Sequence, residues 1–139
     1  MSEKNLRLIN EISNKGNLGE FENTLERIIQ MIHDSECSIF CCDTCENSSI
    51  VQAINGSFKS HIKIGFKKVK EKPIHIIWDI FHEFGHHLSG KPNGKERTVE
   101  RESQAWDLGF EQLKQFPELL EHLEDFKDYS ENCLRTYKE

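Results

Sequence analysis

His82-Glu83-Phe84-Gly85-His86 is an H-E-x-x-H arrangement, two imidazoles and a carboxylate within five residues. On a helix, residues i and i+4 stand one above the other with Cβ atoms about 5–6 Å apart, so His82 and His86 can converge on one ion with Zn–N bonds of about 2.0–2.1 Å. Glu83 lies one residue round the helix, where it can act as general base rather than as ligand, as the motif does in metalloproteases. The competing reading is a helix whose histidines bind nothing. Against it stand the apolar half-helix that precedes the motif and Gly85, which admits a close backbone neighbour for about 1 kcal/mol of helix propensity.

A catalytic zinc needs a third protein ligand and a fourth position for water. His75 shares the face of His82 and His86 but lies about 10 Å along the axis from His82. His87 points about 100° away from His86. Ser89 and Pro92 stand where a metzincin would carry a glycine and a third histidine, which excludes that class. The next helical stretch, Thr98-Val99-Glu100-Arg101-Glu102-Ser103-Gln104-Ala105-Trp106, offers a carboxylate instead.

The H-E-x-x-H segment, a short Gly/Pro loop and then Glu100 to Trp106 resemble the ImmA/IrrE-type zinc metallopeptidases, whose second helix reads roughly E-x-x-A-[DN]-x-[FW]. The likeness covers about residues 74–113. It implies Glu100 as third metal ligand, with Ser103 in place of the alanine, Gln104 in place of the Asp/Asn and Trp106 at the aromatic position. Gln104, being neutral, would raise the basicity of a ligand histidine less than a carboxylate. The alternative alignment, on Ala105, shifts the ligand to Glu102 and puts Trp106 at the Asp/Asn position; the Glu100 alignment is preferred. The resemblance further implies a zincin-like α+β domain, an extended substrate added at a sheet edge, and an intracellular protein substrate such as a transcriptional repressor of a mobile element or of a stress response. The expected function is a zinc-dependent metalloendopeptidase in which His82, His86 and Glu100 hold Zn²⁺ and Glu83 is catalytic. The alternative is a zinc-containing regulatory module that binds a partner protein without cutting it.

The elements that must position this motif are legible in outline. Phe21, Leu25, Ile28, Ile29 and Ile32 recur at helical spacing, and a shorter helix from about Glu3 to Asn14 precedes them across Gly16-Asn17-Leu18-Gly19. Ser38 to Cys41, Ser49 to Ile54 and Ser57 to Lys67 are β-prone, and Asn55-Gly56 between the last two is a hairpin signal, so a small antiparallel sheet is expected. Pro73 opens the motif helix over Ile74 to Leu88. Thr98 caps a second helix to about Gln115, and Pro117 starts a last one. A single domain over residues 1–139 follows from the length and from the lack of any linker-like stretch.

The net charge of −6 argues against nucleic acid as partner. Lys59, Lys63, Lys67, Lys68, Lys70 and Lys72 interleave with Ile62, Ile64 and Phe66, as on the solvated face of a strand. Met1 to Arg7 lacks the pattern of a secretory signal, and no run is apolar enough for a membrane span, so a cytoplasmic location is expected. Five cysteines in that compartment are expected to be reduced, Cys37, Cys41, Cys42 and Cys45 as structural thiols rather than a second metal site or a redox pair. Trp78 and Trp106 are read as core anchors. Tyr129, Tyr137, His61, His75 and His87 are the available donors for a developing oxyanion.

Overall fold

The computed structural model describes residues 3–51, 59–68, 70–89 and 98–138. Among the described residues, five helices and a three-stranded sheet make an α+β fold: α1 (Glu3–Gly16), α2 (Glu22–Asp34), β1 (Cys37–Cys42), β2 (Ser49–Val51), β3 (Ser60–Gly65), α3 (Ile74–Ser89), α4 (Val99–Leu113) and α5 (Leu123–Lys138). A short 3-10 helix precedes α2, and another, Pro117–His122, precedes α5.

The helical stripe of the amino-terminal region is realised. Leu25, Ile28, Ile29 and Ile32 of α2 are fully buried and pack with Ile12 of α1 and the inner face of the sheet. Asn17 takes a left-handed conformation, φ 54°, just past the end of α1, a backbone state that asparagine tolerates better than most residues. Alternation along β1 and β3 sends Ile39, Ile62 and Ile64 inward and leaves Ser38, Phe40, His61 and Lys63 on the outer side.

The sheet is mixed, not antiparallel as expected. β2 pairs with β3 antiparallel, in keeping with a hairpin, but the Asn55-Gly56 turn lies outside the described residues. β1 pairs with β3 in parallel along its whole length, Cys37 opposite Ser60 through Cys42 opposite Gly65, giving the order β1-β3-β2. β3 matches β1 residue for residue, whereas β2 is three residues long and serves as an edge. Which strand takes the centre is therefore set by ladder length and burial, which short β-prone runs do not reveal.

α3 is the central element. Ile77, Trp78, Phe81 and Phe84 are buried on it, and it touches the sheet, α4 and α5. Thr98 caps α4 as expected, its side chain accepting a hydrogen bond from the Arg101 N–H at 3.2 Å. Pro117 opens a 3-10 turn rather than the helix itself, which begins at Leu123.

Candidate metal centre

α3 and α4 approach until their backbones touch. A Cβ on Gly85 would lie 1.9 Å from the Ala105 carbonyl oxygen, and one on Gly109 would lie 2.5 Å from the Phe81 carbonyl oxygen. Gly85 against Ala105 and Phe81 against Gly109 run in opposite senses along the two helices, so the pair is antiparallel. Glu102, one turn before Ala105 on the buried stripe of α4, is carried to the same helix interface.

Glu102 is fully buried, with one carboxylate oxygen 3.4 Å from His82 Nε2 and the other 2.8 Å from His86 Nε2. The ligand atoms of His82, His86 and Glu102 all lie within 4.8 Å of one another, the one such group among the described residues. A four-coordinate ion with bonds of about 2.0–2.2 Å holds its ligand atoms about 3.3–3.5 Å apart, and the group spans that separation. Neither Glu102 oxygen accepts a well-aligned hydrogen bond among the described residues. A buried carboxylate is costly unless charge or hydrogen bonds satisfy it, and a cation among these three side chains would do so. The donor set therefore fits a metal ion.

The electrostatics agree. Burial pushes the Glu102 carboxyl up, but the two imidazoles pressed against it outweigh burial and hold it well below the usual carboxylate range. Burial lowers His82 below its ordinary value against the pull of Glu102. Both groups are thus in the ligating form at neutral pH, a carboxylate and a neutral ring.

No protein-family model, curated protein or solved structure matches the chain.

Glu100, the expected third ligand, is exposed on α4 and is not brought to the histidines. Two residues of helix separate it from Glu102 by about 200° of rotation, so the two acids cannot serve one site. The signal for Glu102 was present: Glu102, Ala105, Trp106, Gly109 and Leu113 form the buried stripe of α4, with the small residues that a close helix contact needs. Gln104 is exposed as well. The ring of Trp106 is stacked on His82 at 4.1 Å and 2°. It is buried, as is Trp78, so both also serve as the expected core anchors.

Glu83 is 2% exposed, its carboxylate 3.6 Å from His82 Nδ1. His82 and Glu83 line a cleft of about 1060 Å³ whose other walls include Asn47 and Ser48 after β1 and Tyr129 and Cys133 of α5. Glu102 and His86 sit behind them, deeper in the protein.

The same cleft holds a polar cluster that sequence reasoning missed. Tyr129 donates its hydroxyl proton to Asp79 Oδ1 at 2.7 Å, and Lys70 Nζ lies 3.0 Å from Asp79 Oδ2. Burial, with Asp79 beside it, holds the Tyr129 hydroxyl above its ordinary value. A second carboxylate, Asp125, accepts from Trp78 Nε1 at 2.9 Å and from Lys72 at 2.6 Å and faces His75 at 3.3 Å. Lys70 and Lys72 are thus partners of buried and half-buried acids, not members of a solvated strand face. Their available signal was Asp79, the lone acid in the apolar run from Ile74 to Phe81.

Of the five oxyanion-donor candidates, Tyr129, Tyr137 and His75 line the cleft. His87 is turned away, its Nε2 2.7 Å from the Ser35 carbonyl, and His61 packs beside Phe40 on the outer side of the sheet. The expectation of reduced thiols is corrected at two positions: Cys42 and Cys45 are joined as a disulfide, while Cys37, Cys41 and Cys133 are free. Their sulfurs meet because the chain turns sharply at the end of β1, which brings the Cα atoms to 5.5 Å. Among the described residues no helix is long and apolar enough to cross a membrane.

Proposed function

We propose that the protein is a zinc-dependent peptidase in which His82, His86 and Glu102 hold the metal and Glu83 is the general base. The single observation that carries this reading is the buried carboxylate of Glu102 beside both histidines of the H-E-x-x-H helix. Two imidazoles and one carboxylate suit Zn²⁺ and match a catalytic donor set, which leaves one position for water or substrate. Bound there, the ion would supply Lewis-acid polarisation of a carbonyl and lower the pKa of water.

The chain's own residues supply the remainder. Glu83, on the cleft side of the metal group, accepts a proton from the attacking water and returns it to the leaving amine. Trp106 keeps the His82 ring from rotating, and the buried position of Glu102 excludes competing water from the ligand side. The resemblance to ImmA/IrrE-type peptidases supports a protein substrate in the cytoplasm, a repressor being the first candidate, and the negative net charge supports recognition without nucleic acid. The alternative, a zinc-containing module that binds a partner without cutting it, is motivated by the small size of the chain and by the neutral Gln104, which is exposed on α4.

The test is digestion of candidate repressor substrates by zinc-loaded protein, with Glu83→Gln as control. Wild type is expected to give defined fragments, and Glu83→Gln to retain zinc while losing at least about 100-fold in rate. Full activity in Glu83→Gln, or stable complexes without fragments at full zinc loading, would overturn the reading.

A further inference from the structure

The five cysteines are of two kinds. Cys37 and Cys41 are pushed up to about 12 and Cys133 to about 11, burial being the main cause in each case. Thiols held in that state are poor nucleophiles at neutral pH. Cys42 and Cys45 are half-buried and bonded to each other.

As a structural clip this disulfide does little. Its cysteines are three residues apart in one turn, so it constrains a very short loop and ties no distant elements together. The turn, however, is seated on the end of β3. Phe66 N–H donates to the Cys42 carbonyl and Lys67 N–H to the Cys45 carbonyl, both at 3.0 Å. Gly65 packs so closely beneath that a Cβ there would lie 2.7 Å from the carbonyl oxygens of Cys45 and Asn47, and its N–H donates to Ser48 Oγ at 3.2 Å. Asn47 and Ser48, which follow directly, line the cleft into which His82 and Glu83 open.

We propose that Cys42 and Cys45 form a reversible thiol–disulfide site, with dithiol reductants as its reaction partners, whose closed form holds the Asn47–Ser48 wall of the cleft and whose open form releases it. In the opening step a thiolate of the reductant bonds to one sulfur of the pair while the Cys42–Cys45 bond breaks, and the departing sulfur takes up a proton. The second thiol of the reductant then displaces the remaining cysteine. The reductant becomes a disulfide, and the pair gains the two electrons and two protons it gives up. Nothing in this depends on a metal ion or on peptidase activity.

The experiment is thiol counting and hydrogen exchange on the full chain equilibrated with oxidised glutathione or with dithiothreitol, quenched in acid and alkylated in denaturant. Three thiols are expected in the oxidised sample and five in the reduced one, the two new labels mapping to Cys42 and Cys45, with the far-UV spectrum unchanged. Exchange at residues 46–48 and at Gly65 is expected to rise several-fold on reduction and to return on reoxidation. The double variant Cys42→Ser/Cys45→Ser should match the reduced protein under both treatments. Five thiols in excess oxidised glutathione, a bond that opens only under denaturing conditions, or equal exchange in the two states would each overturn the proposal; the wild-type comparison decides even if the variant fails to fold.

Discussion

Gly85 lies directly beneath the backbone of Ala105, so closely that a single added Cβ would sit 1.9 Å from the Ala105 carbonyl oxygen. This contact, with that of Gly109 against Phe81, holds the buried stripe of α4 on α3, and Glu102 on that stripe is the acid that meets His82 and His86. The glycine inside the H-E-x-x-H motif thereby acts through helix packing, one step removed from His82, His86 and Glu102.

Replacing Gly85 by alanine should therefore damage both fold and site. Overpacking costs about 1–3 kcal/mol, and backbone has little freedom to give way, so the gain of about 1 kcal/mol in helix propensity does not offset it. A fall in Tm of about 5–10 °C is expected together with weakened metal binding. Unchanged melting and metal affinity would mean that the two helices are not in contact here.

The two acids of α4 should separate cleanly. Glu102→Gln is expected to lose zinc at matched protein concentration, as His82→Ala does, whereas Glu100→Gln should retain about one ion per chain. Elemental analysis of the purified variants decides the matter. Retention in Glu102→Gln with loss in Glu100→Gln would reverse the assignment.

Trp106, stacked on His82 at 4.1 Å, should report the state of that ring. Adding zinc to the metal-free protein should change tryptophan emission, and Trp106→Phe should abolish the change while Trp78 still emits. A response that survives Trp106→Phe would place its source elsewhere.

Asp125 carries a pH dependence. Burial raises its carboxyl, but the hydrogen bonds from Lys72 and Trp78 outweigh that and hold it below its ordinary value of 3.8. A depressed carboxylate contributes stability in full above its unfolded value and loses it as pH falls through the folded one. Asp125→Asn should accordingly melt lower than wild type at neutral pH, and the gap should begin to close as pH falls past about 3.8, the ordinary value, and vanish only below the lower folded value. A constant gap across the titration would show that lost packing, not charge, is responsible. Because the group is partly solvated, the effect should shrink in high salt.

Much of this architecture is written in local signals. The stripe of Phe21, Leu25, Ile28, Ile29 and Ile32, the Thr98 cap, the Pro73 boundary and the i, i+4 placement of His82 and His86 depend on residues within a turn or two of one another, so period and capping chemistry suffice to read them. The choice between Glu100 and Glu102 does not reduce to one helix. It depends on which face of α4 meets α3, and motif alignment favoured Glu100 where the small residues Ala105 and Gly109 point to Glu102. Three other features lie beyond local reading for the same reason. The parallel pairing of β1 with β3, the meeting of Lys70 with Asp79 and Tyr129, and the seating of the Cys42–Cys45 turn on Gly65 all join segments that sequence order keeps apart. Helix period and caps come from short-range sterics and hydrogen bonding, whereas register between elements is fixed when their buried faces close on each other. In this protein the two histidines belong to the first kind of information and their acidic partner to the second.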